Sequence, residues 1–206
     1  MRTTIAPAAS LRSRQGQRQI RGAGLCIVGL SVAVLGLFSA AAHAQDGVAT
    51  YESPINGFSF QYPADWQIGP IPVEVSTGNV IERVGLSAPD GAIGLISVIQ
   101  LNARLSDADV PVLKFELDTA FEAGAAQVGG EVVLGEIFDA TDFGLRYLFA
   151  YQINFPRDGR VIASRQYAFV LADRQYNIAL EADEAGHERH QGVLEGILRS
   201  FWVDER

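Results

Sequence analysis

Six apolar side chains alternate with more polar ones across residues 145–155, and no other stretch of the sequence restricts its fold as strongly. They are Leu145, Tyr147, Phe149, Tyr151, Ile153 and Phe155. The opposite positions include Arg146, Gln152 and Asn154. Because successive side chains of a β-strand point to opposite faces, this period of two predicts a strand with one apolar face. That face must be buried against another layer.

Two tight turns follow this strand and predict an antiparallel meander of three strands. Asp158 and Gly159 favour the positive backbone angles of a tight hairpin, so residues 161–171 are expected to return antiparallel. A second turn is predicted at Asp173 and Arg174. A third strand then begins with alternating apolar residues at positions 176, 178 and 180.

The remaining periodicity predicts a mixed α+β domain. Strands are expected at residues 58–62, 66–75, 92–101 and 131–139, while residues 79–89 contain a possible strand. Segment 92–101 is apolar on both faces, as in a central strand that is covered from both sides. A mid-chain helix is predicted from Val110 to near Gly124, with Ser106 and Asp107 as N-caps, and a C-terminal amphipathic helix over residues 193–201. A single domain with a mainly antiparallel sheet follows.

The first 44 residues have the pattern of a cleavable secretory signal peptide. They contain five arginines and no acid, and the apolar run from Gly24 to Phe38 follows the basic part. Ala42 and Ala44 occupy the small-residue positions of a cleavage site, so cleavage is expected after Ala44. The alternative is an uncleaved membrane anchor over Ala23–Ala42. Residues 45–49 are expected to be a short flexible lead, and residues 50–206 the single folded domain.

Removal of residues 1–44 changes the charge and the thiol content of the protein. It leaves 11 basic residues against 24 acidic ones, a net charge of −13 for 162 residues, and it removes Cys26, the only cysteine. Nucleic acid and anionic lipid surfaces are therefore not expected as partners. The mature chain has no thiol for catalysis or metal binding and forms no internal disulfide. At this length, a core without cross-links is sufficient for one domain.

A motif of the form F-x-F-x-Y-P-x-x-W lies near the mature N terminus, and a Ser-Phe pair lies at the end of the closing helix. The residues concerned are Gly57, Phe58, Phe60, Tyr62, Pro63, Trp66, Tyr176, Ser200 and Phe201. Together with the order of elements, they resemble the PsbP/Mog/DcrB-like superfamily over residues 50–203. The resemblance implies an α-β-α sandwich, hence an α+β fold class. It also implies a non-catalytic binding or assembly protein, and it transfers no functional residue.

The segment 181–190 carries the most chemistry in the mature chain, with four acids and two histidines. His187 and His190 are three residues apart, near the start of the expected last helix, and Asp183 or Glu184 is close enough in sequence to complete a divalent-cation site. The alternative is structural, because acids are favoured at a helix N terminus and His190 borders the apolar stripe of that helix. An H-x-x-H spacing without a third committed ligand falls short of a zinc signature.

Other catalytic signatures are absent from the sequence. It contains no G-x-S-x-G, no G-x-x-x-x-G-K and no G-x-G-x-x-G motif, so no cofactor is expected. The aromatic row of residues 147–155 is interpreted as core, with a ligand pocket as the alternative. Tyr62 and Trp66 are likewise interpreted as core or rim residues, with a partner-binding groove as the alternative.

Two hypotheses of function follow from the sequence. The first is an exported, non-catalytic module that binds an envelope protein or helps to assemble an envelope complex. The second is a small-molecule or divalent-metal-dependent activity centred on Asp183, His187 and His190. The expected location is the periplasm, with release from the cell as the alternative.

Overall fold

The structure, a computed structural model, describes residues 47–73, 79–190 and 192–204 of the 206-residue chain. The signal peptide and the cleavage after Ala44 lie outside the described residues. The strands are β1 (Val48–Glu52), β2 (Phe58–Pro63), β3 (Gln67–Pro70), β4 (Val80–Ser87), β5 (Ile93–Gln100), β6 (Glu131–Asp139), β7 (Tyr147–Arg157), β8 (Arg160–Leu171), β9 (Arg174–Ala182) and β10 (Trp202–Val203). The helices are α1 (Val110–Gln127), α2 (Glu184–Arg189) and α3 (Val193–Ser200).

Seven strands form one antiparallel sheet in the order β3-β4-β5-β9-β8-β7-β6. The predicted meander is its β7-β8-β9 part. Arg157 pairs with Arg160, so Asp158 and Gly159 form the turn with φ of 54° and 75°, as a two-residue type I′ hairpin requires. The second turn lies one residue earlier than predicted. Leu171 pairs with Arg174, so Ala172 and Asp173 form the turn. Ala172 has a positive φ of 55° there.

Helix α1 covers one face of this sheet, over β6 and β7. Its buried Leu113, Leu117 and Phe121 pack against Phe149 and Tyr151, the alternating face recognised in the sequence. The rings of Phe121 and Tyr151 stack with centroids 3.9 Å apart.

The two ends of α1 differ from the sequence expectation. Ser106 caps a 3-10 turn at Asp107–Asp109 that leads into the helix, whereas Asp107 lies inside that turn. The helix also continues past Gly124, which is buried within it, and ends at Gln127. The chain reverses only at Gly129, where φ is 67°.

The opposite face of the sheet is covered by a three-stranded sheet, in the order β1-β2-β10, together with α3. Phe58, Phe60 and Tyr62 of β2 are buried on one face, as their alternation predicts. The hydrophobic periodicity of the sequence did not predict strands β1 and β10. Strand β1 includes Val48 and Ala49, which corrects the expected flexible lead, because Ala49 pairs with Tyr62 and is fully buried.

Two other elements differ in extent from the sequence expectation. The second predicted strand is reduced to β3, which ends at Pro70, and part of its predicted range lies outside the described residues. The possible strand within residues 79–89 is β4. The last helical segment is divided into α2 and α3, and Gly192 before α3 has a left-handed φ of 89°. His187 therefore belongs to a separate short helix rather than to the start of the last one.

The architecture confirms the predicted α+β class, a sandwich with a mainly antiparallel central sheet, a mid-chain helix and a C-terminal helix. Both hydrophobic clusters use side chains of the same seven-stranded sheet, one on each face. Within the described ranges, no helix is both long and apolar enough to cross a membrane.

Candidate binding groove

The three residues proposed as metal ligands are held by different partners. Asp183 caps α2, and its Oδ1 accepts a hydrogen bond from the Gly186 amide at 2.8 Å. His187 is buried, with Nε2 2.8 Å from the carbonyl oxygen of Ala163 on β8. His190 points elsewhere, and its Nε2 lies 2.9 Å and 3.0 Å from the two carboxylate oxygens of Asp90.

This arrangement does not bring the two imidazoles and an acid together. Among the described residues, no group of three or more histidine, cysteine, aspartate or glutamate side chains is placed to hold a metal ion. Burial lowers the pKa of His187 and favours its neutral form. Its Nε2 must carry the hydrogen, because the carbonyl oxygen of Ala163 can only accept.

His190 instead joins a small ionic cluster around Asp90, in the turn between β4 and β5. Asp90 accepts hydrogen bonds from His190 and, at 2.7 Å, from Nε of Arg189. These two bonds hold the pKa of the Asp90 carboxyl well below its ordinary range. Trp66 packs edge-on against the His190 ring at 4.9 Å. The cluster ties α2 to the β4–β5 turn, and the sequence contained no periodic signal for this contact across 99 residues.

Tyr62 and Trp66, the suggested partner-binding residues, lie in the core with only 4% and 5% of their surfaces exposed. Burial raises the pKa of Tyr62. In this structure they pack the small sheet against the large one.

A buried carboxylate, Glu82 on β4, is also structural. It accepts hydrogen bonds from Tyr51 Oη at 3.0 Å, Ser53 Oγ at 2.8 Å and Asn56 Nδ2 at 2.6 Å. Burial and the neighbouring carboxylate raise the pKa of Tyr51. With three donors, Glu82 fastens the β1–β2 hairpin to the large sheet. Its position on the otherwise apolar face of Val80, Val84 and Leu86 was the sequence signal that could have revealed it.

An open groove of about 420 Å³ lies on the large sheet between β6, β7, β8 and α3. It occupies the face opposite α1, because Leu148 and Ala150 alternate along β7 with the α1-facing Phe149 and Tyr151. The three-stranded sheet is narrower than the seven-stranded one, and its aromatic residues cluster with β4, β5 and β9. The β6 side of that face therefore stays accessible.

The groove has an apolar floor and a few charged groups. Its apolar lining includes Leu134, Phe138, Phe143, Leu148, Ala150 and Tyr167, and its polar lining includes Gln152, Arg165 and Glu195. Burial raises the pKa of Tyr167, with a further contribution from Glu195 that Arg165 opposes. Arg165 is exposed. The described lining contains no histidine, serine or cysteine.

Strand β6 forms the outer rim of this groove and the edge of the large sheet. Most of its residues are exposed, including three large apolar ones: Val133 (47%), Ile137 (40%) and Phe138 (42%). Leu134 and Phe138 contribute to the groove lining. The range of β6 was predicted from the sequence, but its edge position depends on strand order, which local periodicity does not encode.

Known proteins resemble this chain in structure but not detectably in sequence. No family model matches it, and no curated protein matches it. Cyanobacterial PsbP (CyanoP) from Synechocystis sp. PCC 6803 is similar with a TM-score of 0.58 and 13% identity, over 82% of this chain and 99% of that one.

Two further solved structures are more distant. A Bacteroides thetaiotaomicron protein has a TM-score of 0.49 and 12% identity, over 76% of this chain and 48% of that one. LpqN of Mycobacterium tuberculosis, described as involved in cell envelope biogenesis, has a TM-score of 0.45 and 9% identity, over 76% and 90% of the two chains. At such identities the likeness to CyanoP shows the fold alone: this chain has a PsbP-like fold.

Proposed function

We propose that this chain is an exported, non-catalytic module that binds an envelope protein or helps to assemble an envelope complex. The observation that carries the proposal is the open apolar groove beside the exposed edge strand β6. An exposed apolar surface with a polar rim is typical of a protein–protein interaction site. The groove offers apolar and charged side chains to a partner. The two described histidines lie elsewhere and make structural hydrogen bonds.

The export part of the proposal rests on the basic, apolar and small-residue pattern of residues 1–44. It is tested by expressing the full sequence in a bacterial host and determining the N terminus of the exported product. We expect the product to begin at Gln45. Retention in the membrane with an intact N terminus would favour the anchor over Ala23–Ala42 instead.

The binding part is tested by affinity capture from an envelope extract, with the exported chain as bait and quantitative mass spectrometry as the readout. A folded protein of equal net charge serves as the reference, because an acidic bait retains basic proteins without specificity. We expect at least one envelope protein to be enriched over this reference. Absence of any enriched protein would remove the support for a binding module.

Two variants locate the binding surface. Phe138→Ser alters the groove rim, and Phe115→Ser is the matched control because Phe115 is 72% exposed on α1, on the other side of the sheet. Loss of an aromatic contact at the centre of an interface weakens binding by about fivefold or more. We therefore expect Phe138→Ser to reduce capture and Phe115→Ser to leave it unchanged.

A further inference from the structure

We infer that β6 binds an extended, basic segment of the partner as an added strand, with apolar side chains of that segment resting on the groove. This inference rests on the proposed function and specifies the chemistry of its partner. It combines three observations: a strand edge with no further neighbour among the described strands, an apolar groove along that edge, and acidic side chains around both.

The edge is accessible along its length. Strand β6 is the last strand of the seven-stranded order, and β7 is its hydrogen-bonded neighbour there. A register shift between Val132 and Leu134 interrupts the first part of the strand, so the regular edge runs from Leu134 to Asp139. A strand edge with unpaired amides and carbonyls is a template for an incoming extended segment.

The two faces of this edge differ. The pairing of Leu134 with Gln152, Glu136 with Ala150 and Phe138 with Leu148 places those three β6 residues on the groove face. Gly135 and Ile137 pair with Tyr151 and Phe149, on the α1 face. An added strand therefore places every second side chain beside Leu134, Glu136 or Phe138, at the mouth of the groove.

The charges around the edge are mostly negative. Strand β6 carries Glu131, Glu136 and Asp139, and Asp142 follows it in the chain. Across the groove the charged lining residues are Arg165 and Glu195, and Glu195 lies 4.0 Å from the guanidinium of Arg199. Charge complementarity therefore favours lysine or arginine opposite Glu136 and Asp139, and an apolar residue opposite Phe138.

A second copy of the chain fits this edge less well. Antiparallel pairing of two β6 strands over their full length places Glu131 of each copy opposite Asp139 of the other. Like charges directly opposite each other in a sheet are destabilising. Each exported chain, with 11 basic and 24 acidic residues, also carries a formal charge of −13, which opposes self-association further.

The test uses a synthetic segment, Arg-Leu-Val-Lys-Thr-Val, designed to lie antiparallel to Asp139–Leu134 so that its basic residues face Asp139 and Glu136. Binding to the exported chain is followed by amide chemical shifts. We expect shifts concentrated in β6 and the groove. A charge-reversed segment, Glu-Leu-Val-Glu-Thr-Val, is expected to bind at least about tenfold more weakly.

Backbone N-methylation of the segment distinguishes strand addition from binding through side-chain contacts alone. Successive amides of a strand point to opposite edges, so only one alternate set of amides of the bound segment faces β6. We expect N-methylation of one set to abolish binding and N-methylation of the other set to leave it nearly unchanged. Equal effects of both sets would overturn strand addition.

Charge reversal on the protein completes the test. Glu136→Lys is compared with Glu122→Lys, because both residues are exposed and both substitutions change the net charge by two, but Glu122 lies on α1. We expect Glu136→Lys to weaken binding of the basic segment by at least about tenfold and to improve binding of the acidic one. The Glu122→Lys variant is expected to resemble the wild type.

The outcomes separate this inference from the proposed function. If an envelope protein is captured equally by the wild type and by Glu136→Lys, and the basic segment does not bind, the β6 inference is wrong while the binding function stands. If the segment binds as described but no envelope protein is captured, the proposed function is wrong and the strand-addition site stands. A stable dimer with protected β6 amides would overturn the inference in favour of self-association.

Discussion

At the scale of single residues, His187 shows how a residue type with catalytic potential serves packing instead. Its ring is 4% exposed and contacts the Ala163 carbonyl, which joins α2 to β8. Burial is the main cause of its lowered pKa; the hydrogen bond to the Ala163 carbonyl opposes this shift, Arg165 and His190 lower the pKa further, and Asp183 raises it slightly. The imidazole therefore behaves as a neutral hydrogen-bond donor within the fold.

We predict that the stability of the protein falls as the pH is lowered through the range in which His187 takes up a proton. The unfolded chain protonates this histidine near its ordinary pKa of 6.5, whereas the folded chain does so only at lower pH. Its stabilisation is therefore complete above about pH 6.5 and is lost as the pH falls through the lower, folded pKa.

The measurement is urea unfolding at several pH values, for the wild type and for His187→Gln, which retains an amide donor but does not titrate. We expect the free energy of unfolding to decrease less steeply with falling pH in the variant. His187→Ala should be less stable by about 1–3 kcal/mol at pH 7.5, because it leaves the Ala163 carbonyl unpaired. Identical pH dependence in the wild type and His187→Gln would contradict the assignment.

At the scale of elements, the β7–β8 hairpin illustrates how two turn residues set the register of two long strands. Asp158 and Gly159 adopt positive φ, and the pairs from Arg157–Arg160 to Phe149–Ala168 follow from that turn. A right-handed twist of the flanking strands matches this turn type.

We predict opposite effects for alanine at two glycines. Gly159→Ala should destabilise the protein by roughly 1–2 kcal/mol, because its φ of 75° is unfavourable for a residue with a Cβ. Gly196→Ala should stabilise it by up to about 1 kcal/mol, because Gly196 lies within α3 and its added Cβ meets no atom within 4 Å. Chemical denaturation gives the free energy of unfolding of each variant. A Gly159→Ala variant as stable as the wild type would argue against the positive φ at this turn.

At the scale of the whole molecule, the seven-stranded sheet is shared by two hydrophobic clusters. Phe121 belongs to the cluster under α1, and Trp66 belongs to the cluster under the small sheet. Because both clusters depend on the same strands, the two layers are expected to unfold together.

We predict that Phe121→Ala lowers the unfolding midpoint reported by tryptophan fluorescence, from Trp66 and from Trp202 of β10, as much as the midpoint reported by far-UV circular dichroism. Truncation of this fully buried ring should lower the free energy of unfolding by about 3–5 kcal/mol. Phe115→Ala on the same helix is the control, with an expected change within about 0.5 kcal/mol because that ring is exposed. Separate transitions for the two probes would show that the α1 layer unfolds independently.

Local patterns in the sequence predicted several elements correctly. The alternation in residues 145–155, the Asp158–Gly159 turn and the apolar spacing of α1 predicted β7, its hairpin and the mid-chain helix, because side-chain direction along a strand or helix repeats with a fixed period. The predicted range of β6 also agrees with the structure. The α+β class follows from these elements.

The packing of the elements, by contrast, sets which of them form a surface. Strand order left β6 at an edge, and the width of the small sheet left the adjoining groove open. The tertiary structure also places His187 against Ala163 and His190 against Asp90, although both histidines lie in one short segment. Such contacts join residues far apart in the chain, and their geometry depends on how layers pack, which no local period of the sequence contains.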